Sequence, residues 1–172
     1  MTRSLVLLTG YPGAGKSTLA AAIAPALGYP LVSKDAILTA IHQAMDFAPG
    51  DAEAAERCGK AAWAVFWMQA EQFPQAVLDT NIRPTSREQI DRLLALDARI
   101  VEVRCVCPAK VAQERYAWRA ATEQPAARLR ELTDERIAEY GGELGLSERF
   151  NVNTNGPVDL GPLIDELRFR LA

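Results

Sequence analysis

The sequence predicts an α/β protein in which a parallel sheet of about five strands lies between two layers of helices. Short apolar runs, typical of buried strands, alternate along the chain with longer amphipathic segments, typical of helices. The first apolar run ends in a glycine-rich turn that opens the first helix. The length of 172 residues, 49% of them hydrophobic, is enough for one globular domain and leaves little room for a second.

Five apolar runs are candidates for the strands. They are LVLLT, YPLVS, AVLDTN, RIVEVRCVC and RFNVNT, at residues 5–9, 29–33, 76–81, 99–107 and 149–154. Because the chain passes through a helical segment between consecutive runs, the strands are expected to be parallel, with helices covering both faces of the sheet.

Apolar periodicity and capping residues predict the helices. Gly28 follows the first helix and is a typical stop, while Asp51 and Ser86 are candidate N-caps. Pro108 suits the start of the helix that follows the fourth strand. The predicted helices cover residues 16–27, 35–45, 51–73, 86–96, 109–121, 133–140 and 162–171.

Composition narrows the classes of function. The net charge of −3 and pI of about 5.3 disfavour a dedicated nucleic-acid binder, although a local basic cleft stays possible. No apolar stretch approaches the ~20 residues that span a membrane, and the first apolar run is interpreted as a strand and not as a signal peptide. We therefore expect a cytoplasmic protein. Three cysteines and one histidine favour neither a disulfide framework nor a zinc site.

The glycine-rich turn has the spacing of a phosphate-binding P-loop. Gly10-x-x-x-x-Gly15-Lys16-Ser17 follows an apolar strand and precedes an amphipathic helix, which is the context the motif requires. Glycines let consecutive backbone N–H groups point at the β-phosphate of a nucleotide, where the helix N-terminus adds to the positive field. The expected nucleotide-binding residues are Gly10, Gly13, Ala14, Gly15, Lys16, Ser17 and Thr18.

Individual P-loop side chains have distinct expected roles. Lys16 should contact the β- and γ-phosphates of ATP, and its ammonium is expected to be exposed in the empty loop. Ser17 should be a ligand of Mg²⁺. Thr18 either approaches the α-phosphate or packs in the first helical turn. Asp79, at the end of the third apolar run, has a Walker B-like position and is the second candidate Mg²⁺ ligand; the alternative is a turn aspartate.

Other P-loop classes fit less well. The guanine-reading sequence NKxD is absent, which argues against a GTPase. The chain is also small for a motor and lacks the C-terminal helical region expected of an oligomeric AAA+ machine.

Five segments together resemble a known family. GYPGAGKST, SKDAI, VLDTN, ERYAWR and VNTNGPV occur in the order found in small P-loop kinases of the nucleoside-monophosphate-kinase-like fold. The sequence is most similar to the branch with gluconate, chloramphenicol and polynucleotide kinases, zeta-toxin-like enzymes and AAA-type ATP-binding proteins of unassigned substrate. The P-loop is the specific match, and the other segments count through their order and spacing.

The resemblance implies roles for further residues. Asp35, after the second strand, would bind the acceptor hydroxyl and act as base or positioning group; the alternative is a helix cap. Arg115 and Arg119, four residues apart on one helix face, would clamp the transferred phosphoryl group; the alternative is a solvated face. The loop with Thr154, Asn155 and Pro157 would pack on adenine.

A small mobile lid over residues 120–131 is also implied by the resemblance. The segment lacks the His-containing lid sequence of several relatives, and either Arg128 or Arg130 could supply its positive charge.

The acceptor is expected between the helix that begins near Asp35 and the next helix. Trp63 and Trp67 share a face of that next helix and would stack on an acceptor, although such a stripe is more often part of a core. Asn81 and Arg83 follow the Walker B-like strand and are further candidates; the alternative is a turn closed by Pro84.

The sequence therefore predicts an ATP- and Mg²⁺-dependent kinase that phosphorylates a hydroxyl of a small molecule, as a monomer or homodimer. A polynucleotide 5′-hydroxyl kinase and a nucleotide-binding regulator or weak ATPase without acceptor remain as alternatives.

Overall fold

Five parallel strands form one sheet in the computed structural model, which describes residues 3–45, 51–122 and 131–172. The strand order is β2-β3-β1-β4-β5, and every neighbouring pair is parallel. The strands are β1 Arg3–Thr9, β2 Leu31–Ser33, β3 Gln75–Asp79, β4 Ala98–Val106 and β5 Glu148–Asn153. All five predicted strands are confirmed.

The described helices agree with the predicted ones to within a few residues. They are α1 Lys16–Leu27, α2 Lys34–Ala44, α3 Ala52–Gln72, α4 Arg87–Leu94, α5 Ala109–Thr122, α6 Asp134–Ala138 and α7 Leu160–Leu171. Asp51 caps α3 by accepting a hydrogen bond from the N–H of Ala54 at 2.9 Å. Ser33 caps α2, so Asp35 lies in the first helical turn and is not the cap. Ser86 is at the N-cap of α4 without a side-chain capping bond.

Side chains alternate between the two faces of the sheet and form a core on each. Leu5 and Leu7 of β1 pack with α3 and α4, whereas Val6 and Leu8 pack with α1 and α7. Both faces are buried because parallel strands are covered by their crossover helices. The fold is therefore the three-layer α/β arrangement expected of a P-loop NTPase. Within the described ranges, no helix is long and apolar enough to cross a membrane.

The topology brings the predicted motifs to one edge of the sheet. The chain passes from β1 to its neighbour β3 by way of the edge strand β2, and β4 lies on the opposite side of β1. Ligands of open α/β sheets bind outside the carboxyl ends of the strands, where the strand order reverses. The P-loop follows β1, and the segments after β2, β3 and β5 reach the same edge.

Candidate functional site

A cleft of about 1250 Å³ lies at this carboxyl edge, between the P-loop, α2, α3 and α5. Most predicted site residues line it, namely Gly13, Gly15, Lys16, Ser17, Thr18, Asp35, Trp63, Asn81, Arg83, Arg115, Arg119, Thr154 and Pro157. The predicted residues that do not line it are Gly10, Ala14, Trp67, Asp79 and Asn155. Its volume is above the usual range for a single small ligand, and it is large enough for a nucleotide and a small acceptor together.

The P-loop packs so closely on its neighbours that two positions require glycine. A Cβ added to Gly13, at φ +81°, would lie 2.2 Å from the carbonyl oxygen of Ala112 in α5. A Cβ on Gly10, at φ +128°, would lie 2.6 Å from the carbonyl oxygen of Cys105 in β4. Both backbone conformations are rare for other residues. The bare backbone therefore forms a cradle that suits phosphate oxygens.

Lys16 is buried, and the expectation of an exposed ammonium is wrong. The residue is 6% exposed, and its Nζ donates to the backbone oxygen of Tyr11 at 3.0 Å. Burial lowers the pKa of Lys16, and the negative charges of Asp79 and Asp35 oppose that shift. The sequence pattern gives the residue type but not the depth to which the loop folds over it. A desolvated ammonium with one backbone partner retains donors for phosphate oxygens.

Ser17 and Asp79, the two predicted Mg²⁺ ligands, lie close to each other. Asp79 is 3% exposed, and the hydroxyl of Ser33 donates to its Oδ2 at 3.0 Å. Burial raises the pKa of Asp79, against the opposing effects of a hydrogen bond from Ser17 and the charge of Lys16. A hydroxyl and a carboxylate, already within hydrogen-bonding contact, are hard oxygen ligands of the kind that Mg²⁺ prefers. The residues present therefore fit Mg²⁺, which would neutralise phosphate charge when bound.

Asp35 lies across the cleft from the cradle and is tied to a neighbouring loop. Its Oδ2 accepts from Nδ2 of Asn81 at 3.3 Å, and its Oδ1 lies 3.4 Å from Nζ of Lys34. Its side chain is 53% exposed. Asp35 and Asn81 were each predicted to contact the acceptor, and the structure brings these two side chains together. The Oδ1 of Asn81 is buried and has no hydrogen-bond partner in the described part of the chain, so it is an unused acceptor beside Asp35.

The two arginines of α5 occupy different positions. Arg115 donates to the carbonyl oxygens of Thr154 and Asn155, at 3.0 and 3.3 Å, and so holds the loop after β5. Arg119 lines the cleft one turn later, and its charge contributes to lowering the pKa of Lys16. The arrangement favours Arg119 for contact with phosphate and Arg115 for positioning the nucleotide loop.

Thr154 connects the P-loop to the ends of the neighbouring strands through hydrogen bonds. It is buried, and its hydroxyl lies 2.6 Å from the carbonyl oxygen of Ala14 and 3.1 Å from that of Val106. Its backbone N–H also donates to Val106 at 2.8 Å. The hydroxyl thus joins the P-loop to the ends of β4 and β5. Pro157 lines the cleft and is the better candidate for contact with a base.

Trp67 belongs to the core, and its predicted contact with an acceptor is wrong. Its ring is 0% exposed, and its Nε1 donates to Oε1 of Gln89 at 2.9 Å. Trp63 stacks on it at a centroid distance of 5.7 Å and still reaches the cleft. The Nζ of Lys34 lies 5.7 Å from the centre of the Trp63 ring. Of these two tryptophans, Trp63 remains a candidate contact for the acceptor, because Trp67 faces the sheet.

The structure adds cleft residues that the sequence did not single out. Tyr140 follows α6, and Trp118 lies on α5 with 62% of its surface exposed. Tyr140 lies at the end of the helix predicted over residues 133–140, whereas α6 ends at Ala138, and the predicted helix did not indicate that this residue faces the cleft. Trp118 stands three residues after Arg115 and could have been found from that helical spacing.

The predicted lid over 120–131 lies mostly outside the described residues, as do Arg128 and Arg130. Residues 120–122 form the last turn of α5.

Comparison with known proteins assigns a family. The model of a family described as an AAA domain matches residues 5–140. The chain belongs to this AAA-domain family. No curated protein matches the sequence at a significant level.

Several solved structures share the fold over almost the whole chain. A provisionally assigned kinase from Chloroflexus aurantiacus is 25% identical, with a TM-score of 0.79 and coverage of 99% of this chain and 96% of that one. A gluconokinase from Sinorhizobium meliloti is 18% identical, with a TM-score of 0.61 and coverage of 99% and 92%. A shikimate kinase from Acinetobacter baumannii, in complex with shikimate, is 14% identical, with a TM-score of 0.57 and coverage of 98% and 90%. The resemblance to small P-loop kinases of the nucleoside-monophosphate-kinase-like fold is confirmed.

Gly13→Ala should abolish ATP binding, because the new methyl group would push the P-loop away from α5. The matched control is Gly28→Ala, since Gly28 also has a positive φ of 71° but has nothing within 4 Å of its added Cβ. The control should lose only the ~1–2 kcal/mol cost of a left-handed residue and keep its ATP affinity. Urea unfolding and titration with a fluorescent ATP analogue measure both effects. Normal affinity in Gly13→Ala would show that the cradle is not the phosphate site.

Asp79→Asn should change how stability depends on pH. Burial raises the pKa of Asp79 in the folded protein, so the folded state binds this proton more tightly than the unfolded state. That stabilisation is fully present below the unfolded pKa and is lost as pH rises through the folded pKa. Wild type should therefore gain free energy of unfolding relative to Asp79→Asn as pH falls from neutral toward the usual value of 3.8.

The measurement is urea unfolding at a series of pH values, without nucleotide or metal. Asp165→Asn is the control, because this carboxylate is 81% exposed. Parallel pH curves for wild type and Asp79→Asn would contradict the assignment of a buried, desolvated carboxylate.

Proposed function

We propose that the protein is an ATP- and Mg²⁺-dependent kinase that transfers the γ-phosphoryl group to a hydroxyl of a small molecule. The observation that carries the proposal is the position of Asp35. Its carboxylate lines the same cleft as Lys16, and Asn81 donates to its Oδ2 at 3.3 Å. A hydroxyl bound at Asp35 would stand near a phosphate bound at Lys16.

Different residues of the chain have different roles in phosphoryl transfer. The P-loop N–H groups and Lys16 bind the β- and γ-phosphates, and Arg119 stabilises the negative charge that the phosphoryl group carries during transfer. Ser17 and Asp79 would hold Mg²⁺, with Ser33 orienting the carboxylate. Asp35 accepts the hydrogen bond of the acceptor hydroxyl and takes its proton as the oxygen attacks. Asn81 keeps that carboxylate aimed into the cleft.

The size and charge of the molecule support a small acceptor. Kinases named for gluconate and shikimate share this fold, and each of these compounds carries hydroxyl groups. The net charge of −3 gives no general attraction to a polynucleotide. We further propose that residues 1–172 form a single domain and that the protein acts in the cytoplasm.

Asp35→Asn and Asp79→Asn should fail in different ways. The first removes the acceptor of the hydroxyl proton, so transfer should fall by ~10²–10⁴ while ATP affinity and slow hydrolysis by water are largely kept. The second removes the metal's carboxylate, so transfer and hydrolysis should fall together and require more Mg²⁺. Acceptor phosphorylation and ATP hydrolysis are measured side by side over a magnesium titration, with Asp165→Asn as the surface control.

Two outcomes would contradict the proposal. Undiminished transfer in Asp35→Asn would place the acceptor elsewhere. Rapid ATP hydrolysis with every acceptor ignored, and no effect of Asp35→Asn, would identify a nucleotide-dependent regulator or ATPase in place of a kinase.

A further inference from the structure

Arg83 lines the cleft two residues after Asn81, and its side chain is 46% exposed. Its Nε lies 3.1 Å from Oε2 of Glu139 and donates to the hydroxyl of Tyr140 at 3.4 Å. The guanidinium carbon lies 5.6 Å from the centre of the Tyr140 ring. All of these contacts are made by Nε or by the face of the guanidinium plane. Neither terminal nitrogen, Nη1 or Nη2, has a hydrogen-bond partner within the described ranges.

The partner of Arg83 is itself held in place. Tyr140 is 8% exposed, and Arg104 of β4 donates to the carbonyl oxygens of Tyr140 and Gly142, both at 2.7 Å. A Cβ on Gly142 would lie 2.8 Å from Cβ of Pro84, so this turn packs directly on the loop that carries Arg83. The tyrosine and the loop that contact the guanidinium are therefore in place before any ligand arrives, which reduces the entropy lost on binding.

We propose that Arg83 binds an oxyanion group of the acceptor, a carboxylate or a phosphate, through its two terminal nitrogens; this rests on the proposed kinase function. A planar guanidinium with two parallel N–H donors matches two oxygens of such a group. The acceptor is thus a hydroxylated acid or a sugar phosphate, and not a neutral sugar, nucleoside or neutral antibiotic. Its hydroxyl lies at Asp35, and its anionic group lies at Arg83.

The loop after β3 carries residues for both parts of this acceptor. Asn81 contacts Asp35, and Arg83 stands two residues later in the same loop. One short loop therefore presents the residues that would meet the hydroxyl and the anionic group.

The excess of basic side chains in the cleft also favours an anionic acceptor. Six of its lining residues are basic (Lys16, Lys34, Arg83, Arg115, Arg119 and Arg136) and two are acidic, in a chain of net charge −3. The nucleotide phosphates account for Lys16 and Arg119, and Arg115 holds the loop after β5, which leaves Lys34, Arg83 and Arg136 among the basic lining residues. Glu139 does not cancel the charge of Arg83, because its side chain is 44% exposed and such an ion pair is weak in water.

The experiment compares acceptors that differ only in their charged group. The pairs are gluconate and sorbitol, shikimate and its methyl ester, and glucose 6-phosphate and glucose, each tested with ATP and Mg²⁺. Wild type should show at least a ~10-fold higher kcat/KM for the charged member of the pair it uses, as expected for a charged hydrogen-bonded contact. The carboxylate and phosphate pairs distinguish the two sources of the anion.

Variants assign the effect to Arg83. Arg83→Gln should raise the KM for the charged acceptor by ~10- to 100-fold with little change in kcat, and should leave a neutral acceptor unaffected. Arg83→Lys should restore part of the affinity, and Tyr140→Phe should raise KM less than Arg83→Gln. Arg57→Gln, which removes the same charge from an exposed position on α3, should match wild type. A purely structural role would instead lower stability and impair both members of a pair alike.

The outcomes separate this inference from the kinase proposal. Preference for a neutral acceptor, with transfer still dependent on Asp35, would overturn the role of Arg83 and leave the kinase intact. Equal loss with charged and neutral acceptors in Arg83→Gln would also overturn it. Transfer to no compound while ATP is hydrolysed would overturn both.

Discussion

The approach of the P-loop to α5 is the constraint on which the site depends. Gly13 meets the backbone of Ala112 at a distance that leaves no room for a side chain. The same helix carries Arg115 and Arg119 into the cleft, so the phosphate cradle and the arginines form one packed unit. The hydroxyl of Thr154 also holds the P-loop, because it lies 2.6 Å from the carbonyl oxygen of Ala14. The geometry of the P-loop is thus provided by backbone packing.

Two charged side chains are buried close to the P-loop, and such charges would destabilise an ordinary hydrophobic core. Lys16 and Asp79 are both nearly inaccessible, and burial shifts the pKa of each toward its neutral form. Their mutual attraction reduces this cost without removing it. Buried charges of this kind are concentrated at functional sites, where they are ready for a ligand of high charge. Asp35, by contrast, stays half exposed, which is consistent with its proposed contact with a diffusing acceptor.

Sequence patterns predicted those parts of the structure that depend on residues close together in the chain. The strands and the P-loop follow from apolar runs and from glycines at required positions. Asp35 and Asn81 were both expected in one site, and they are in contact. Contacts that form only on packing were not predictable. The burial of Lys16 depends on the loop folding over it, and the burial of Trp67 depends on which face of α3 meets the sheet. Tyr140 reaches the cleft only because Arg104, far away in sequence, holds its turn.

These features form one account, in which the cleft directs a phosphoryl group to an acceptor hydroxyl and away from water. The most direct test incubates the wild-type protein with γ-labelled ATP, Mg²⁺ and a panel of hydroxy acids, sugars, sugar phosphates, nucleosides, antibiotics and oligonucleotides. The fate of the label is then divided between acceptor and free phosphate. The account predicts that most of the label moves to one small hydroxylated compound, with free phosphate as a minor product. Label found only in free phosphate, or on the 5′ ends of oligonucleotides, would contradict it.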